Sequence, residues 1–231
     1  MPTSSDRPNR PLTVTALVFP RITQLDLTGP AEVLARVPGI RIEYVWHDTT
    51  PVPTSSGLPM QPTTTFAEAS PTDILLVPGG DGAFDLLDDP VALAFIAARG
   101  RQARWVTSVC TGAFPLAQAG LLDGRAATTH WASRGLLARY GLDVRDGRVV
   151  EDGNRITAGG VTSGIDFALT LVARLLGDER ARRIQLQLEY DPHPPYDAGT
   201  PSAHPAEVIE EIVAANERAR GPLVERALAR R

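Results

Sequence analysis

Short apolar, β-branched runs alternate with helical segments along most of this chain, and this alternation is what most constrains its fold. The runs LTVTALVF, IRIEYVWH, DILLV and RWVTSV each have the length and composition of a buried or half-buried strand. Segments between them, such as PVALAFIAARG, carry apolar residues at helical spacing. Strands that alternate with helices favour an α/β fold, with a mostly parallel sheet that helices cover on both faces.

Capping residues predict where individual helices begin and end. In the first helical segment Thr28 is the expected N-cap and Pro30 lies just inside the helix, which leaves Asp26 before the helix begins. Gly100 is expected just after the end of the next helix. The run RVVEDGNRIT predicts a hairpin, because an Asp-Gly pair is a strong turn signal.

The two ends of the chain are expected to differ from its middle. Residues 1–11 have no periodic pattern and are predicted to form a disordered tail, followed by a single domain over residues 12–231. The Pro-rich stretch 191–205 is predicted to be an extended surface loop, with one or more outer helices from about Ala206. No apolar run approaches the ~18 residues of a membrane span, so no membrane partner is expected.

Charge and residue usage exclude several function classes. The formal net charge is −4 and no basic face is visible, so nucleic acid is not an expected partner. All 23 basic residues are arginines, which excludes any mechanism that needs a lysine. The single cysteine, Cys110, cannot form an internal disulfide, and the absence of an apolar leader in the N-terminal residues favours a cytoplasmic location.

Cys110 follows a strand and precedes a helix, the layout of a nucleophile elbow. Such a turn lifts a side chain above the carboxyl ends of the strands, where open α/β sheets keep their sites. A cysteine at a helix N-terminus is also expected to be a thiolate near neutral pH, because the helix dipole favours the charge. The alternative is a small buried apolar residue, which free cysteines often are.

Asp26 is the candidate for proton chemistry, because it follows the first strand and lies between two leucines. Partial desolvation would raise the pKa of this carboxyl enough for it to donate a proton near neutrality, although helix capping is the alternative role. The backbone amides of Gly79 and Gly80, with that of Thr111, are expected to form a small anion hole that faces the sulfur. His130, the only histidine near Cys110 in sequence, is more simply read as a hydrogen-bonded structural residue.

These segments resemble the isonitrile hydratases of the ThiJ/PfpI superfamily. The resemblance runs from about Thr13 to Gly199, through VFPRITQLDLTGPAEVLA, SSGLPM, VPGGDG, WVTSVCTGAFPLAQAGLLDGRAATTHWA, AGGVTSGIDFALTLVA and QLQLEYDPHPPYDAG. It implies a flavodoxin-like three-layer sandwich, a homodimer, and hydration of a small isocyanide to an N-substituted formamide without a cofactor or metal.

The resemblance also implies roles for individual residues. Cys110 would be the nucleophile, Asp26 the acid/base, and Thr111 an essential neighbour. Supporting positions around them would be those of His130, Gly160 and Val161. PfpI-type peptidases carry histidine directly after the cysteine, so Thr111 argues against peptidase activity.

Two other function classes share parts of this pattern. Glyoxalases and deglycases of the same superfamily usually pair the cysteine with glutamate, where this chain has Asp26. Ligand-sensing domains of AraC-type regulators have similar VCTGAF and TTHW segments but also a DNA-binding domain, which typically needs about 100 residues. Fewer than 30 residues follow Pro205, so a sensor is ranked third, after carbonyl detoxification.

Overall fold

A computed structural model describes residues 11–231, and a seven-stranded sheet lies at its centre. The predicted disordered tail, residues 1–11, lies outside the described residues except for Pro11. The chain contains eleven strands within the described part, of which seven form the main sheet and four form two small pairs. Their bounds are β1 Leu12–Leu17, β2 Ile40–Trp46, β3 Val52–Pro53, β4 Pro59–Met60, β5 Thr64–Thr65, β6 Ile74–Val77, β7 Trp105–Val109, β8 Ala126–Ala127, β9 Asp143–Val144, β10 Val149–Asp152 and β11 Arg155–Ala158.

The main sheet has the strand order β10-β11-β7-β6-β1-β2-β5. All of its neighbouring strands are parallel except β10 and β11, which form the predicted antiparallel hairpin. The α-helices of the described residues are α1 Gln24–Leu34, α2 Gly82–Asp85, α3 Pro90–Gln102, α4 Ala113–Gln118, α5 Arg134–Ala138, α6 Ser163–Leu176, α7 Asp178–Gln187 and α8 Ala206–Leu228. None of these helices is long and apolar enough to cross a membrane.

The helices pack in two groups about the sheet. One group contains α1, α6 and α7, and the other contains α2 to α5 together with the C-terminal part of α8. The four parallel strands β1, β6, β7 and β11 supply a continuous apolar core with phenylalanines from the covering segments. This arrangement confirms the predicted mostly parallel α/β sandwich.

Two helix predictions need correction. Helix α1 begins at Gln24 rather than after Thr28, so Asp26 lies in its first turn and Thr28 lies within the helix. Helix α3 continues past Gly100 to Gln102. A Cβ at position 100 would lie 2.3 Å from the side chain of Leu121, so close packing against Leu121 accounts for the glycine. Helix α7 was not predicted.

The start of α1 is fixed by contacts that are distant in sequence. Ile22 forms an isolated antiparallel bridge with Gly80, and the Thr23 amide donates to the Gly79 carbonyl at 3.0 Å. These bonds hold the chain just before Gln24, so the helix begins there. Pro30 lies inside the helix, although it has no amide hydrogen to donate.

Candidate active site

Four neighbouring strands end at one edge of the sheet, and each is followed by a candidate site residue. Asp26 follows β1, the Gly79-Gly80 turn follows β6, Cys110 follows β7, and Gly160 follows β11. Because β11, β7, β6 and β1 are adjacent and parallel, their carboxyl ends bring these segments together. The sheet thus forms a candidate site from residues that lie far apart in sequence.

Cys110 occupies the strained turn that the sequence predicts. It is one of three non-glycine residues with positive φ among those described, with φ of 56°, and is 7% exposed. A three-residue 3-10 turn, Cys110–Gly112, connects β7 to α4. At Gly112 a Cβ would lie 2.0 Å from the Val77 carbonyl oxygen, so only glycine lets the turn pack this closely on the end of β6.

Asp26 is fully buried beneath the elbow. Its Oδ2 accepts a hydrogen bond from the Gly79 amide at 3.0 Å. The other oxygen, Oδ1, is also buried and has no hydrogen-bond partner within residues 11–231. A buried carboxyl oxygen without a partner is costly, and here it belongs to the residue that the sequence predicts as the acid/base.

Gly79 separates Asp26 from Thr111 and is closely packed between them. A Cβ on Gly79 would lie 2.7 Å from the Asp26 Oδ2 atom and 2.5 Å from the Thr111 amide nitrogen. No larger residue fits there without moving one of these groups. The Gly79 backbone therefore sets the spacing between the carboxyl and the elbow.

The Thr111 hydroxyl is bonded twice to Gly80. It accepts from the Gly80 amide at 2.9 Å and donates to the Gly80 carbonyl at 2.9 Å. In this structure the Gly79 amide donates to Asp26 and the Gly80 amide donates to Thr111, so both amides hold the site together. The anion hole at Gly79 and Gly80 stays a prediction.

Burial dominates the protonation of the two central groups. It raises the pKa of Asp26 to about 7, although hydrogen bonds from the Gly79 amide and the Cys110 thiol oppose the shift. Burial also raises the pKa of Cys110, and the negative charge of Asp26 raises it further. The backbone amide of Thr111 lowers the pKa of Cys110 by less than these effects.

The expected free thiolate at Cys110 is therefore wrong. The helix that follows the elbow is a six-residue segment, Ala113–Gln118, and its partial positive charge does not outweigh desolvation. Near neutral pH the sulfur keeps its proton, while Asp26 exists in both protonation states. The pair is thus arranged as a thiol beside a proton acceptor.

A segment after β8 supports the elbow from another side. The Thr129 hydroxyl donates to the Cys110 carbonyl at 2.8 Å, a contact that the sequence does not predict because the two residues lie on separate segments. The next residue, His130, accepts from the Ala132 amide at 3.4 Å through Nδ1 and begins a short 3-10 turn. Burial, Arg220 and Arg134 lower the pKa of His130.

The remaining candidates lie beside this segment. A Cβ on Gly160 would be 3.8 Å from the His130 ring, so the two residues are neighbours, and Val161 follows, half-buried. The other histidines bond elsewhere: His47 to Asp89, and His193 and His204 to backbone carbonyls. Within residues 11–231 no group of three or more His, Cys, Asp or Glu side chains could hold a metal ion.

The comparisons with known proteins agree with one another on the family. The DJ-1/PfpI family matches residues 13–174. The isonitrile hydratase of Pseudomonas putida is 49% identical over 218 residues, which cover 93% of this chain and 95% of the hydratase. The crystal structure of a THiJ/PfpI family protein from Pseudomonas syringae is 37% identical with a TM-score of 0.89, covering 98% of this chain and 96% of that one.

A more distant relative is a regulator. The HTH-type transcriptional regulator GbdR of Pseudomonas aeruginosa is 30% identical over 191 residues, which cover 78% of this chain and 51% of the regulator. The chain thus matches about half of the regulator and nearly all of the hydratase.

Proposed function

The chain belongs to the DJ-1/PfpI family, and from this premise we propose that it is an isonitrile hydratase that adds water to an isocyanide and releases an N-substituted formamide. The observation that carries the proposal is the buried pair of Cys110 and Asp26, in which the pKa of Asp26 is raised to about 7. The extent of the match to the Pseudomonas putida hydratase supports it. Cys110 is the proposed nucleophile, Asp26 the acid/base, and no cofactor is required.

The first step joins the sulfur to the terminal carbon of the isocyanide. Asp26, to which the Cys110 thiol donates a hydrogen bond, accepts the thiol proton as the Cys110 sulfur attacks. The same carboxyl then delivers this proton to the carbon. One S–C bond and one C–H bond form, the product is a thioimidate, and Asp26 returns to its carboxylate form.

The second step releases the product. Water attacks the thioimidate carbon, Asp26 removes a water proton and passes it to the nitrogen, and a tetrahedral adduct results. Collapse of the adduct forms the carbonyl and breaks the C–S bond, and the hydroxyl proton returns to sulfur through Asp26. One carboxyl with a pKa near 7 serves both steps, because it gives and accepts protons at neutral pH.

A direct assay tests the proposal. Purified protein without added metal or cofactor should convert cyclohexyl or p-nitrophenyl isocyanide into the matching formamide, followed by chromatography or absorbance. Turnover should saturate with substrate, and the same preparation should act slowly on methylglyoxal. Rapid methylglyoxal consumption without formamide would replace hydration with carbonyl detoxification, and inertness toward both with tight binding of a small ligand would favour a sensor.

Other expectations remain predictions. We propose that the protein acts as a homodimer in the cytoplasm and that residues 12–231 form a single domain. Sedimentation and limited proteolysis would test the assembly and the domain extent.

Thr111 provides a test of how the site is held together. In Thr111→Val the Gly80 amide and carbonyl lose their buried partner, which should cost about 1–3 kcal/mol of unfolding free energy. The elbow should shift relative to Asp26, so kcat/KM should fall by about 10-fold or more. Thr111→Ser keeps the hydroxyl and is the control. Denaturant unfolding and steady-state kinetics measure both effects, and wild-type values for the valine variant would contradict the assigned role.

A further inference from the structure

The C-terminal helix α8 contacts the surroundings of the site through Arg220 and Asn216. Arg220 donates from Nη2 to the Asp81 Oδ1 atom at 2.7 Å and from Nη1 to the Asn216 Oδ1 atom at 2.6 Å. Asn216 in turn donates to the Ala132 carbonyl at 2.7 Å and to the Ser133 hydroxyl at 3.2 Å. Arg220 and Asn216 together therefore connect the loop of Asp81 to the loop of Ala132 and Ser133.

Both of these loops touch the elbow. Asp81 directly follows Gly80, whose amide and carbonyl bond the Thr111 hydroxyl. Ser133 lies in the 3-10 turn that follows Thr129, whose hydroxyl bonds the Cys110 carbonyl. Arg220 is thus linked to the elbow along two routes, through Asp81 and Gly80 to Thr111, and through Asn216 and the Thr129–Ser133 segment to Cys110.

A third contact reaches the helix after the elbow. The Arg220 guanidinium lies over the Phe84 ring, 5.1 Å from its centroid. Phe84 packs on Phe114 of α4 with ring centroids 4.8 Å apart, and both rings are buried. A planar cation with two separate terminal nitrogens can make the stacking contact and both hydrogen bonds at once, which a lysine ammonium cannot.

We infer that Arg220 is a positioning residue for the reaction, which holds the Gly80-Asp81 turn and the Thr129–Ser133 segment at the spacing that Cys110 requires. Only the kinetic test of this inference rests on the proposed function. Its effect is geometric, because an ion pair with a half-exposed partner contributes little stability: the Asp81 side chain is 58% exposed. A small displacement of a reacting group, in contrast, lowers the rate strongly.

Arg230, two residues past the end of α8, offers a matched control. It also pairs with an aspartate, Asp88, and donates to the Leu87 carbonyl at 3.2 Å. Its partners belong to the 3-10 turn before α3, and none of them bonds the elbow. Arg230→Lys therefore alters a comparable arginine–aspartate pair just after α8 without touching the site.

The experiment compares Arg220→Lys, Arg220→Gln and Arg230→Lys with the wild type. Turnover of cyclohexyl isocyanide by the Arg220 variants should show a kcat lower by about 10-fold or more with KM little changed, because positioning acts on the transition state. The second-order rate constant of iodoacetamide alkylation in the Arg220 variants should also differ from that of the wild type. This rate reports Cys110 alone, since the chain has no other cysteine. Arg230→Lys should match the wild type in both measurements.

Asp81→Asn supplies a second variant at an exposed position, where folding is not at risk. It should change kcat and alkylation in the same direction as Arg220→Gln, and the double variant should be no worse than Arg220→Gln alone. Wild-type kcat and alkylation in Arg220→Lys and Asp81→Asn would overturn the inference, as would losses matched by Arg230→Lys. Altered alkylation in the Arg220 variants, with no isocyanide turnover by the wild type, would support the positioning role and reject the proposed function.

Discussion

Replacing Cys110 with alanine should abolish isocyanide turnover while the protein stays folded. Without the sulfur no thioimidate can form, and loss of a nucleophile typically lowers kcat by about 10⁴-fold or more. The side chain is small and 7% exposed, so its removal should cost no more than about 1–2 kcal/mol. Steady-state assays and denaturant unfolding measure the two effects separately.

A glycine at the same position separates function from folding. Because φ at Cys110 is 56°, an alanine there retains the strain of the left-handed conformation and a glycine does not. Cys110→Gly should therefore be more stable than Cys110→Ala by about 1 kcal/mol and equally inactive. Formamide production by either variant at more than about one hundredth of the wild-type rate would remove Cys110 from the mechanism.

Strand ends could be predicted from this sequence because they depend on local patterns. The β-branched run before Cys110 and the small residues after it indicate a sharp strand-to-helix turn, and the structure has that turn with a positive φ. Asp26 and the Gly79-Gly80 turn also follow apolar runs. That they converge depends on β1, β6 and β7 being neighbours, which no local pattern encodes.

Hydrogen-bond partners at the site could not be predicted, since they are set by tertiary contacts. The sequence indicates bare amides at Gly79 and Gly80, but their acceptors, Asp26 and Thr111, lie 53 and 31 residues away. The same limit applies to Arg220, which is 139 residues from Asp81. In the sequence, Arg220 is only a charged residue on an amphipathic helix, and no local pattern links it to the elbow.

The protonation state of Cys110 was mispredicted for a related reason. Position at a helix N-terminus is visible in a sequence, whereas burial beside a carboxyl group is not. Burial acts in the same direction on both groups, raising the pKa of Asp26 and of Cys110. The outcome is a proton held between two groups of the site, which suits an acid/base at Asp26 better than a preformed thiolate would.

Asp26→Asn should lower kcat/KM by about 100-fold or more, because asparagine keeps the shape of the side chain but cannot carry a proton between sulfur, carbon and water. Asparagine can still accept the Gly79 amide through its carbonyl oxygen, so the turn should remain in place. Kinetics of the variant within threefold of the wild type would reduce Asp26 to a structural role.

The pH dependence of the wild type and of Asp26→Asn distinguishes proton transfer from a structural effect. Below about pH 7 a second proton occupies the pair, Asp26 can no longer accept the thiol proton, and wild-type kcat/KM should fall.

The stability of the folded protein should change in the opposite direction. The folded state holds this proton more tightly than the unfolded state, so stability is lost as pH rises from about 4 to about 7. In Asp26→Asn both inflections should vanish. The variant should therefore gain stability relative to the wild type between pH 5 and pH 8, by roughly 1.4 kcal/mol for each unit of pKa shift that is titrated. An unchanged stability difference across this range would mean that Asp26 does not titrate near 7, and its role as the proton carrier would fall with it.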